Sequence, residues 1–168
     1  EVTTDEAVIG WADGSLPDYH EQDWTPSNEF VTALYNRIMY QITSCNAFLR
    51  ETTDAKLSAR GVTGQLLTDV HEYRNEARFL RALSYYHAVD LFGNFPFVTE
   101  DDEVGFFFPP QKSRTELFNF VESELLDIEG SMPAPKSNEY ARADQAAVWT
   151  LLAKMYLNAE VYTGTARY

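Results

Sequence analysis

The sequence predicts an all-α fold, built of helical hairpins joined by long irregular loops. Three observations carry this. Four stretches repeat apolar residues at three- and four-residue steps, the period of a helix face. Caps and breakers of the expected kind bracket most of those stretches. No stretch alternates strongly enough to build a sheet.

Residues 1–24 lack a clean period. Trp11, Asp13-Gly14, Pro17 and Tyr19 punctuate them, and Gly and Pro break regular structure. This part reads as a loop with room for one short helix. Thr25-Pro26 then offers an N-cap followed by a proline at the first helical position. Val31, Leu34, Tyr35, Ile38, Ile42, Cys45 and Leu49 continue as one stripe. Residues 52–64 are polar, carry two glycines and read as a linker.

The second helix is expected over about 68–92. Val70, Tyr73, Ala77, Leu80, Ser84 and Ala88 mark one face, and Phe79, Leu83, Tyr86 and Val89 another. Two apolar faces suit a helix buried between neighbours. Gly93 is a natural C′ residue, and Pro96 blocks continuation. Residues 94–112 read as a loop rich in phenylalanine: Phe95-Pro96-Phe97, then Phe106-Phe107-Phe108-Pro109-Pro110. The third helix opens on a capping box, Ser113-Arg114-Thr115-Glu116. It runs through Leu117, Phe120, Val121, Glu124 and Ile128, and Gly130 and Pro133 end it. A fourth helix is expected over roughly 142–162, with Asp144 favouring its dipole and Gly164 as its C′ residue. Small alanines in the second and fourth helices allow close approach, as in tetratricopeptide hairpins. The links are too long for that repeat's period of about 34 residues.

Composition bounds the function. The chain has 168 residues, enough for one domain with a real core. Its formal net charge of −13 repels phosphate backbones and anionic lipid, so no nucleic-acid partner is expected. Aromatics reach 14%; such rings serve both helix packing and stacking on flat ligand faces, and composition does not choose between the two. The single cysteine, Cys45, makes no internal disulfide and no zinc site, and reads as a small buried hydrophobe. No apolar run approaches the roughly 20 residues that cross a bilayer. Starting at Glu1 in a polar stretch, the chain is expected to be a mature or trimmed segment.

Enzymatic signatures are missing. His71-Glu72 lacks the second histidine of a zinc-protease helix, and there is no nucleophile elbow, P-loop or dinucleotide fingerprint. Acidic residues are plentiful, but nothing positions two of them as a glycosidase dyad. Asp101-Asp102-Glu103 offers hard oxygen ligands without calcium-loop spacing, and reads as a solvated acidic loop. Neither a catalytic residue nor a metal or cofactor is expected. Trp149 is expected to pack, and His87 to pack or to hydrogen-bond. Arg78 and Arg81 are expected to pair with carboxylates such as Glu76 or Asp90, or to snorkel beside aromatic rings; the functional alternative is contact with a ligand or partner.

The second helix and its exit read NEARFLRALSYYHAVDLFGNFPFVTE, residues 75–100. This resembles the SusD/RagB family of glycan-binding outer-membrane lipoproteins. Its members show Ala-Arg-Phe-Leu-Arg-Ala, an aromatic run, and then Leu-Phe/Tyr-Gly-x-x-Pro-Phe/Leu-Val-Thr-Glu. Three further blocks are similar and fall in the same order: YNRIMYQITSCNAFL (35–49), SRTELFNFVESELLDI (113–128) and YARADQAAVWTLLAKMYLNAEVYTG (140–164). The resemblance covers roughly 25–164. It departs at Ala143-Asp144, where the family opens its last helix with Thr or Ser.

The resemblance implies a tetratricopeptide-like helical part of a longer, non-enzymatic protein. Such proteins are tethered by an upstream lipid anchor and lie as a lid on a TonB-dependent, SusC-like transporter, to which they deliver oligosaccharides. Family sites often take an aromatic from an N-terminal loop, so Trp11, Tyr19 and Trp24 are the candidate ligand-binding residues. Sugar rings present apolar C–H faces on which such side chains stack. The plainer alternative is a tryptophan plugging the loop onto the helices. Rival functions are an interaction scaffold that binds no sugar and an α-helical glycoside hydrolase.

Overall fold

The structure, a computed structural model, describes residues 3–10 and 14–167. Two compact units are formed, Glu1–Arg37 and Ile38–Tyr168. In the first, Pro17 opens the short helix α1 (Pro17–Glu21). Helix α2 (Glu29–Glu51) begins there and continues into the second unit.

α2 starts later than Thr25-Pro26 suggests. The Asn28 side chain caps it, Oδ1 accepting the amides of Phe30 (3.0 Å) and Val31 (3.3 Å). Thr25 and Pro26 lie instead in the turn that the Asn28 amide closes on the Thr25 carbonyl. An amide side chain that satisfies two orphan donors outweighs a proline that satisfies none.

In the second unit, the stretch expected as a linker contains α3 (Asp54–Ala59), pinned by buried Leu57. α4 (Gly64–Leu91) begins four residues earlier than expected. Gly93 ends it as expected, at φ 76°, with its amide on the Ala88 carbonyl. The following loop contains a two-residue antiparallel pairing of β1 (Phe95–Pro96) with β2 (Gln111–Lys112). A ladder this short tolerates a proline that a central strand would not.

α5 (Arg114–Ile128) carries the full capping box between Ser113 and Glu116. The fourth expected helix is two: α6 (Gln145–Leu157) and α7 (Ala159–Thr163). They break at Asn158, whose side chain bonds back to the Lys154 carbonyl, an alternative to helix continuation that asparagine favours. Asp144 serves as a true N-cap for α6, accepting the Ala147 amide at 3.2 Å. Gly164 ends α7 in the left-handed region.

The core explains the all-α architecture. α4 runs antiparallel to α5: Arg78 faces Glu124 and Asp127, and Tyr85 faces Phe120. α2 is likewise antiparallel to α4, with Leu49 beside Arg74 and Asn46 beside Arg81. Leu117, Phe118, Val121, Leu125 and Ile128 on α5 are fully buried, each contributing about 1.5–3 kcal/mol. Cys45 is buried as expected. Tyr85, fully buried, holds the exit of α4: its hydroxyl donates to the Val98 carbonyl (2.8 Å) and accepts the Val98 amide (2.9 Å). Burial pushes its phenol up to about 12.

Candidate ligand-binding site

Two of the three candidate residues come together in the first unit; Trp11 lies outside the described residues. α1 ends at Gln22, a left-handed residue at φ 59° whose side chain donates to the Thr3 carbonyl at 2.8 Å. This reversal returns the chain so that Trp24 stacks on Tyr19, ring centroids 5.6 Å apart and planes 24° apart. Phe30 tilts toward Tyr19 at 6.5 Å. Trp24 remains 43% exposed and Phe30 38%.

Asn28 holds this loop and is only 5% exposed. Its Nδ2 donates to the Ser15 carbonyl (3.0 Å) and to Asp18 (3.1 Å), while its Oδ1 accepts the Tyr19 hydroxyl at 3.4 Å. A buried polar group satisfied on every side fixes a loop more firmly than an apolar contact does. Partial burial raises the Tyr19 phenol above its ordinary value, and the neighbouring Asp18 charge adds to this, so Tyr19 stays a hydroxyl donor at neutral pH. The result is a pair of part-exposed aromatic planes edged by Asp18 and by Ser15, whose hydroxyl donates to Glu29 at 2.7 Å. Flat apolar faces beside hydroxyl and carboxylate groups suit a ligand with C–H faces and hydroxyls. The sequence placed Tyr19 and Trp24 in one segment. Their stacking, and the roles of Asn28 and Phe30, were not readable from it.

Arg78 and Arg81 pair with carboxylates as expected, and Arg81 also lies over the Phe120 ring, but neither pairs with Glu76 or Asp90. Arg81, 2% exposed, donates from Nη2 to Glu124 (2.8 Å), and from Nη1 to Asn46 (2.8 Å) and Glu100. Arg78 forks onto Glu124 (2.8 and 3.2 Å) and reaches Asp127 (2.7 Å). Glu76 lies two residues before Arg78, and helix side chains two apart do not face each other; it pairs with Arg142 at 2.6 Å. Asp90 accepts the Tyr162 hydroxyl at 2.6 Å instead. Burial alone would raise the Glu124 carboxyl, but the bonds from Arg78 and Arg81 hold it below the usual carboxylate range.

Other candidates resolve simply. Trp149 is not packed as expected: it is 46% exposed, its indole N–H donating to Glu129 at 2.6 Å. His87 is likewise exposed rather than packed, although desolvation of its ring lowers its pKa. Asp102 organises its own turn by accepting the Thr99 amide at 2.7 Å. Among the described residues no helix is long and apolar enough to cross a membrane, and no group of three or more His, Cys, Asp or Glu is gathered for a metal ion.

No family model matches the chain. The starch-binding protein SusD of Bacteroides thetaiotaomicron is 37% identical over the whole chain, which spans 28% of that protein. Surface glycan-binding protein A of Bacteroides uniformis superposes with a TM-score of 0.75 at 23% identity, over 96% of this chain and 36% of its own. A SusD-like carbohydrate-binding protein of Bacteroides fragilis gives 0.65 at 20% identity, over 83% of this chain and 26% of its own. At these identities the two solved structures establish the fold alone. With the collinear blocks described above and whole-chain similarity to SusD, the chain belongs to the SusD family.

Proposed function

We propose that this chain takes part in capturing oligosaccharides at the cell surface, with the Tyr19–Trp24 pair as a stacking platform and Trp11, earlier in the sequence, as a further contributor. The observation that carries this is the part-exposed aromatic stack held over buried Asn28. It is supported by whole-chain similarity to a protein named for binding starch. The mechanism is binding alone: the rings stack on sugar C–H faces, neighbouring polar groups bond hydroxyls, and no bond of the glycan is broken. Captured glycan then passes to a TonB-dependent outer-membrane transporter, with the protein held at the outer membrane by a lipid anchor. A protein partner is favoured by one further observation. The outer face of α6 and α7 exposes Trp149, Leu157 (78%) and Val161 (62%), an apolar stripe suited to another protein surface.

Affinity electrophoresis through gels containing soluble starch tests the capture role. The protein should be retarded, and Trp24→Ala should weaken retention roughly tenfold, the loss expected for one aromatic stacking contact. Equal mobility with and without polysaccharide, across starch and other glycans, would leave the scaffold function in its place.

A further inference from the structure

The second unit contains a recess of about 280 Å³ between α2 and the loop that follows Val98. That is small for a ligand cleft and suits one sugar residue rather than a chain. Arg50 lines it. Its guanidinium is fixed by bonds from Nε to the Glu100 carbonyl (2.9 Å) and from Nη2 to the Asp102 carbonyl (3.1 Å). Nη2 also reaches the Thr99 carbonyl at 3.5 Å, and Nη1 makes none of these bonds. Asp102 spends Oδ2 on the Thr99 amide and hydroxyl, leaving Oδ1 as an acceptor. Glu103 adds an exposed carboxylate. Phe107, 42% exposed, gives the recess an aromatic wall beside Val104. Gly105, at φ 151°, has open space where a side chain would stand.

This donor and acceptor set selects among ligand chemistries. An anion would meet Asp102 and Glu103, and a cation would meet Arg50. A neutral polyhydroxylated ring satisfies both: its hydroxyls donate to carboxylates and accept from a guanidinium, while its C–H face lies on Phe107. We infer that the recess lined by Arg50, Asp102, Glu103 and Phe107 is a second sugar-binding subsite, separate from the Tyr19–Trp24 pair. This rests on the glycan-binding function proposed above.

The test is an amide-resolved NMR titration of the protein with maltoheptaose, following the Val104 and Gly105 amides and the Trp24 indole N–H. The two amides should shift saturably. Glu103→Gln with Phe107→Ala, both exposed positions, should weaken the affinity those amides report about tenfold. Loop amides that shift while the indole stays still would support the subsite and sink the Trp24 platform. An indole that shifts over silent loop amides, or loop shifts unaffected by the double substitution, would overturn the subsite alone. Silence at both would overturn the subsite and the proposed function together.

Discussion

Replacing Arg81 with methionine probes the interaction that joins three segments of the second unit. The guanidinium is 2% exposed and bonds Asn46 on α2, Glu124 on α5, and Glu100 in the loop after α4. Methionine fills similar volume but donates nothing. Glu100, a quarter exposed, can rehydrate. Glu124 keeps the fork from Arg78. Asn46 Oδ1, on a side chain 3% exposed, loses its guanidinium donor, a cost of about 1–3 kcal/mol. One buried atom improves: Arg81 Nε has no partner among the described residues. Removing one member of a buried ion pair costs about 3–5 kcal/mol; with Glu124 still paired, the expected loss is about 3 kcal/mol. That lowers Tm by roughly 6–12 °C for a chain of this size. Urea unfolding followed by circular dichroism at 222 nm measures it, with Arg78→Met as the comparison. Arg78 is 23% exposed and one of its partners, Asp127, is 68% exposed, so its loss should cost about half as much. A loss below about 1 kcal/mol for Arg81→Met, or an equal loss for both variants, would refute the reasoning.

Three further outcomes follow from the same structure. The Glu124 carboxyl titrates below its unfolded value, so its contribution is present above the unfolded carboxylate pKa and is lost as pH falls through the folded one. The stability gap between wild type and Glu124→Gln should therefore narrow between pH 7 and pH 3; a gap independent of pH contradicts this. Asp144→Ala removes the α6 N-cap and should cost about 1 kcal/mol in urea unfolding, whereas no change would mean the bond to Ala147 is not formed in solution. Gly93→Ala meets no neighbouring atom within 4 Å but must adopt φ 76°; a cost of about 1–2 kcal/mol is expected, and a neutral result would show that the α4 exit relaxes.

Much of the fold was legible in residue spacing. The capping box at Ser113, the stop at Gly93 and the stripes of α2, α4 and α5 each write a local rule into adjacent residues. Boundaries failed where two local signals compete. Pro26 and Asn28 both mark a helix start, and only the bonds from Oδ1 decide between them. Asn158 interrupts a helix whose apolar stripe runs on unchanged. The partners of Arg81 lie 19, 35 and 43 positions away, beyond any periodicity argument. In the candidate site, aromatic identity and loop context pointed to Tyr19 and Trp24, but their stacking depends on the reversal at Gln22. That residue is neither glycine nor asparagine, so nothing in the sequence advertised a left-handed turn there. The recess beside Phe107 was hidden for a different reason: the acidic run and the phenylalanines read separately as a solvated loop and an apolar one, and only the fixed Arg50 brings them onto one cavity.

The most direct test of glycan capture uses Trp24 as its own reporter. The chain has three tryptophans; replacing Trp11 and Trp149 with phenylalanine leaves Trp24 alone. Titrating that variant with a panel of oligosaccharides, and chromatographing the sugars afterwards, reads binding and turnover in one experiment. A saturable change in Trp24 emission with at least one sugar, recovered intact, is the expected result. Emission unchanged by every sugar at millimolar concentration, or sugar recovered in fragments, would contradict capture by stacking at this site.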